Sequence, residues 1–210
     1  MNLINYLNNN YFTKQELLDL AKVTEEELLN FQQQNVMPKC SYKLKLNYTN
    51  HSFFGEFNDQ SEIEYYAKGY LSWLGILKTT EDLHTVFGIF AQRYIKAIAW
   101  LKHAGYYSDD NTVNSGLDLH IKQEWKSFLE GIYGLCTHSG LPEDIAAKEV
   151  AILQINEMLA LDEAEIDLTK LTKAVNLLDE SSAMFAPHER IKSSRHRLVD
   201  EVRRQYKLKS

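Results

Sequence analysis

The chain of 210 residues is 44% apolar and 25% charged, with 12 Tyr, 9 Phe, 3 Trp and only 3 Pro, which excludes a disordered or collagenous chain and allows one or two domains built on long helices. Its net charge of −6 is unevenly spread: residues 1–50 are neutral, residues 51–186 carry −11 and residues 187–210 carry +5. An acidic middle argues against nucleic acid lying across the whole surface, although a locally basic end remains open to it. No apolar run approaches a membrane span, the first ten residues lack the pattern of a secretion signal, and Cys40 and Cys136 do not make a disulfide scaffold. A cytoplasmic protein without a membrane partner is the expectation.

Thr13 followed by Glu16 predicts a capping box and a helix from about Lys14 to Ala21. Thr24 and Glu27 repeat that spacing and predict a second helix to about Gln34, ended by Asn35 and Pro38. From Ser41 the pattern alternates. Tyr42, Leu44, Leu46 and Tyr48 point one way and Lys43, Lys45 and Asn47 the other, which predicts a hairpin over 41–57 with Gly55 weakening its return strand or marking a bulge. Ser61 with Glu64 reads as the cap of a helix to about Leu77. Thr80 or Asp82 opens a long apolar helix to Leu101, ended near Gly105. A loop is expected over 106–115, then helices over about 117–136, 142–160 (opened by Pro142), 168–180 and 187–206. The fold class expected is mainly α: an N-terminal winged helix-turn-helix with a short β-hairpin, residues 1–58, followed by an α-helical bundle, residues 59–210.

The stretch from Tyr11 to Pro38, with its landmarks Thr13, Leu17, Ala21, Val23, Thr24, Leu28, Phe31, Val36, Met37 and Pro38, resembles the opening of the mercury-resistance (MerR-like) regulator family. The resemblance covers about a quarter of the chain and implies a winged fold whose second helix enters a DNA major groove, working as a dimer. Candidate contacts to double-stranded DNA are then Lys22, Glu25, Asn30, Gln33, Lys39, Lys43 and Lys45. The competing reading is a protein partner or homodimer without nucleic acid: Glu25-Glu26-Glu27 opens the recognition helix, and apolar Leu29 stands on a face that is normally wet. Over nearly its whole length, through Lys43-Leu-Lys-Leu, Ser52-Phe-Phe-Gly-Glu, Phe185-Ala-Pro-His-Glu-Arg and Arg197-Leu-Val-Asp, the chain is similar to an uncharacterised bacterial family of unknown function. Its members are sometimes loosely labelled natural-product biosynthesis proteins, which implies no particular chemistry.

The C-terminal segment is a second candidate surface. There His188, Arg190, Arg195, Arg197, Arg203 and Arg204 surround an apolar stripe of Ile191, Leu198, Val202 and Tyr206. Arginines so spaced hold phosphates or a partner's carboxylates in bidentate geometry, or dock on the acidic body of the same chain. An enzyme in the bundle is a third reading. It would draw on His84 (in Glu81-Asp-Leu-His), on the i,i+4 pair His120 and Glu124, and on Cys136 with His138. None of these is assigned a catalytic role, and no cofactor or metal is expected.

Overall fold

Thr13 and Thr24 each close a reciprocal capping box, with Glu16 and Glu27 respectively, and these set the first turns of helices α2 (Lys14–Ala21) and α3 (Glu25–Gln33). The computed structural model describes residues 3–209. Ahead of α2 it places a short helix, α1 (Leu3–Asn10), and a strand, β1 (Tyr11–Thr13), neither anticipated from the sequence. Between α2 and α3 Lys22 adopts a left-handed conformation at φ 54°.

The hairpin is longer than its pattern suggested. β2 (Tyr42–Ser52) pairs antiparallel with β3 (Gly55–Ala67), and β1 joins the far side of β3 through Tyr65–Ala67, giving the order β1-β3-β2. Ser61 and Glu64 therefore lie within a strand and do not cap a helix. The reason is pairing: Leu44 opposite Ile63 and Tyr42 opposite Tyr65 continue one apolar face, and β1 covers the strand's end. The helix expected from Ser61 starts only at Tyr70, as α4 (Tyr70–Thr79).

The remainder is a helical bundle. A 3₁₀ turn at Leu83–Thr85 leads into α5 (Val86–His103), and α6 (Leu117–Leu129) follows the loop. The single helix expected over 117–136 is broken. Gly131, at φ 77°, separates α6 from α7 (Ile132–Cys136), because the chain at Lys39 and Cys40 passes directly against that glycine. α8 (Pro142–Leu159) starts on its proline, and Asp167 caps α9 (Leu168–Ser181) through the N–H groups of Thr169 and Lys170. The last expected helix is also divided. α10 (Pro187–Arg190) stops where the Ser193 hydroxyl bonds the Arg190 carbonyl, and a π-helical turn at His196–Asp200 leads into α11 (Glu201–Tyr206). That shift of phase leaves Ile191 exposed instead of on the stripe with Leu198 and Val202.

One apolar core runs through most of the chain. Trp73 and Phe90 each stand 5.0 Å from Phe128, ring centre to ring centre, with Trp125 stacked on Phe128. The Trp73 indole N–H donates to the Val36 carbonyl at 2.8 Å. Leu17, Leu28 and Met37 thereby join the same core as α5, α6 and α8. Among the described residues no helix is long and apolar enough to cross a membrane.

Candidate functional site

Helix α3 buries Leu28 and turns its other side to water. Glu25, Glu26, Leu29, Asn30 and Gln33 line one shallow open surface, with Leu29 46% exposed in its middle. Three of the DNA-contact candidates, Glu25, Asn30 and Gln33, therefore share a face. Lys22 is exposed at the end of α2.

Electrostatics decides what that face attracts. Carboxylates occupy the positive end of α3. Glu27 accepts the Thr24 N–H at 2.7 Å, and that bond, with the Thr24 hydroxyl, holds its carboxyl below the usual range. Glu25 is paired to Lys14 at 2.6 Å. The lysines expected to meet phosphate are paired as well: Lys39 with Glu130 at 2.8 Å, and Lys43 with Glu62 at 2.7 Å and Glu64 at 3.4 Å. Lys45 lies 3.9 Å from Glu62. The Glu62 bond, then Glu64, raises the Lys43 ammonium above its ordinary value. On β2 and β3 each of these lysines faces a glutamate directly across the ladder, Lys43 opposite Glu64 and Lys45 opposite Glu62.

Four of the five C-terminal arginines are occupied within the chain. Arg190 forks onto Asp200 at 3.1 and 2.8 Å and reaches the Met184 carbonyl. Arg195, buried, is held by the Asp179 carboxylate and by the carbonyls of Asp179 and Ser182. Arg203 bonds the other Asp179 oxygen at 2.6 Å and Asn176 at 2.8 Å, and Arg204 pairs with Glu201. Arg197 stands exposed. His188 is exposed beside Glu189, and His196 lies 3.5 Å from both Asp200 and Glu201.

Of the enzyme candidates, the fold brings two together and adds others that sequence reading missed. His120 Nε2 lies 3.8 Å from Glu124 on its own helix and 4.0 Å from Glu149 of α8. Tyr133 of α7 donates to Glu124. The hydroxyl of fully buried Tyr94, from α5, makes no hydrogen bond within the protein, and its ring stands edge-on to His120 at 6.3 Å. Burial first, and the Glu124 charge second, push the Glu149 carboxyl upward. Two carboxylates thus stand 3.8 and 4.0 Å from one imidazole nitrogen, a cluster of acid–base groups gathered from two helices. One sequence signal pointed to Glu149: a carboxylate standing between Ile145 and Leu153 at helical spacing, inside an apolar row. The other candidates are dispersed. His84 is exposed on the 3₁₀ turn. Burial raises the Cys136 thiol, so it lacks thiolate character. His138 lines a separate cleft of about 430 Å³ with Asn9, Tyr11, Lys68 and Ser139. Among the described residues no group of three or more His, Cys, Asp or Glu is arranged to hold a metal ion.

Residues 86–207 match the model of a family of unknown function (DUF6058). The match covers more than half of the chain, and the protein belongs to that family. It takes in α5 to α11, with the His120–Glu124–Glu149 cluster and the arginine pairs, and leaves α1 to α4 and the sheet outside. No curated protein matches the chain significantly, and no solved structure does.

Proposed function

We propose that this member of the family is an interaction protein whose N-terminal winged-helix module docks a protein partner, not a phosphate backbone, on the open face of α3. The observation that carries the reading is the charge of that face. Exposed Leu29 is flanked by Glu25 and Glu26, and three of the four lysines that would draw DNA, Lys39, Lys43 and Lys45, are paired with glutamates of the same chain. An apolar centre inside an acidic rim fits a partner presenting leucine-like side chains ringed by lysine or arginine. Membership of a family of unknown function adds no chemistry to this, and neither an enzymatic nor a biosynthetic role has an observation in its favour that outweighs it. Sequence-dependent DNA binding has one supporting observation, the exposure of α3, and the electrostatics opposes it.

The test uses the full chain. Binding to an array of peptides rich in leucine, lysine and arginine is expected to be selective and salt-sensitive. It should be lost in Leu29→Asp and in Glu25→Lys/Glu26→Lys, with the thermal melt unchanged. On a diverse duplex pool at about 50 mM salt, anisotropy should report no binding. Duplex binding that falls steeply with salt and disappears in Lys43→Ala/Lys45→Ala would overturn the reading, as would peptide binding indifferent to both α3 variants.

A further inference from the structure

The β2–β3 hairpin is a projecting ribbon, and its two faces differ in kind. On one face Lys43 opposes Glu64, Lys45 opposes Glu62, Asn47 opposes Gln60 and His51 opposes Glu56. On the other, Leu44 opposes Ile63, Leu46 opposes Ser61, Tyr48 opposes Asp59 and Asn50 opposes Phe57. The only carboxylate of this second face, Asp59, is engaged by the Tyr48 hydroxyl at 2.9 Å. Near its base the same face is covered, where Tyr42, Leu44 and Ile63 pack with Tyr6 and Tyr11. Beyond that nothing among the described residues covers it: β1 pairs only with Tyr65–Ala67, and residues 47–60 are exposed throughout. At a rise of about 3.3 Å per residue, a two-stranded ribbon some 20 Å long stands in solvent.

Two physical arguments say that such a ribbon has an occupant. A two-stranded hairpin is marginally stable in water by itself. Its tip also defies turn chemistry. Tight hairpin loops favour Asn, Asp and Gly, yet here Phe53 and Phe54 occupy the loop before Gly55, which takes φ 110°. Phe53 is 97% exposed, Phe54 95%, Phe57 61% and Tyr48 46%. Together these leave the equivalent of about three whole aromatic side chains in water, roughly 600 Å².

We infer that the ribbon is a dimerisation arm and that its occupant is the ribbon of a second copy, packed apolar face to apolar face about a two-fold axis. Area supports it. With the loop residues Phe53 and Phe54 packed beside the faces, two such ribbons remove up to roughly 1,200 Å² from water, the lower bound of a specific interface. Charge supports it too, since the face is nearly charge-free and meets its like without repulsion, while the glutamate–lysine ladder stays on the wet side. An isologous pairing also closes on itself. A lipid surface is the poorer occupant, because Glu56 and Asp59 flank the tip and the chain is acidic as a whole.

Sedimentation equilibrium of the full chain tests this, with Phe53→Ser/Phe54→Ser and Phe57→Ser as variants; all three positions are exposed, so the monomer fold should be unaffected. Wild type should show a monomer–dimer equilibrium that the double variant weakens about a hundredfold, with an unchanged thermal melt. A wild-type chain that stays monomeric up to about 100 µM would overturn the inference. So would a dimer insensitive to both variants, which would place the interface elsewhere. Flotation of monomers with phosphatidylcholine vesicles, lost in the double variant, would overturn it in favour of lipid. None of these outcomes depends on α3, whose variants Leu29→Asp and Glu25→Lys/Glu26→Lys should leave the dimer intact.

Discussion

Asp179 carries more of the structure than any feature of its local sequence suggests. One of its oxygens holds Arg195 and the other holds Arg203, which ties the end of α9 to the C-terminal segment. Arg195 is buried, and burial lowers its guanidinium below the ordinary arginine value. Replacing Asp179 with alanine leaves Arg195 its two backbone carbonyls and the Asp200 charge but breaks both ion pairs of Asp179, at a cost of about 3 kcal/mol in urea unfolding. Arg204→Ala, which breaks only the exposed pair with Glu201, should change stability by less than about 0.5 kcal/mol. The arginine cluster itself was legible, because five guanidinium groups fall within a short stretch. Their partners were not. Asp179 lies 16 residues before Arg195 and 24 before Arg203, and only the packing of α9 on the C-terminal turns joins them.

Elements were legible wherever their signals were local. The two threonine capping boxes, the proline opening α8 and the alternation from Tyr42 to Tyr48 each depend on residues within one or two turns, and each appears where its pattern places it. Failures came where a distant segment decides. Ser61 and Glu64 have the spacing of a helix cap, but β1 and β2 on either side recruit that stretch into a strand. The break between α6 and α7 is of the same kind. A Cβ on Gly131 would lie 2.7 Å from the Lys39 carbonyl oxygen and 2.8 Å from that of Cys40, backbone atoms that cannot swing aside. Its φ of 77° adds a conformational penalty for any other residue. Gly131→Ala should therefore destabilise by about 1–3 kcal/mol. Gly88→Ala in α5, where a Cβ meets nothing within 4 Å, should stabilise by up to about 1 kcal/mol. Thermal melts of the two variants shifting in the same direction would contradict the account. The His120 cluster was half legible: His120 and Glu124 lie four apart on one helix, whereas Glu149, Tyr133 and Tyr94 reach them from three others.

At the scale of the whole molecule, two partly or largely buried carboxylates, Asp200 of the basic C-terminal segment and Glu149 of the acidic middle, make stability depend on pH in opposing ways. Asp200 is held below its ordinary value of 3.8: its bond to Arg190 and the neighbouring His196 outweigh burial. Its contribution is complete above that ordinary value and is lost as pH falls through the depressed one. Glu149 behaves oppositely. Burial comes first and the Glu124 charge second, with Asp110 adding to them and His120 and Lys148 opposing, and the result lies above the ordinary 4.5. The fold binds that proton more tightly than the unfolded chain does. The stability it supplies is complete below 4.5 and is lost as pH rises through the raised value. Above the raised value the ionised carboxylate is therefore a cost that glutamine, of the same shape, would not incur. Glu149→Gln should melt a few degrees higher than wild type at about pH 7.5. The difference should shrink as pH is lowered through the raised value and be nearly gone about one unit below the ordinary 4.5, where wild type carries the proton in both states. Paired urea titrations across that range measure it directly. An advantage that stays constant with pH would mean that glutamine acts through packing and that the burial of Glu149 carries no proton-linked cost.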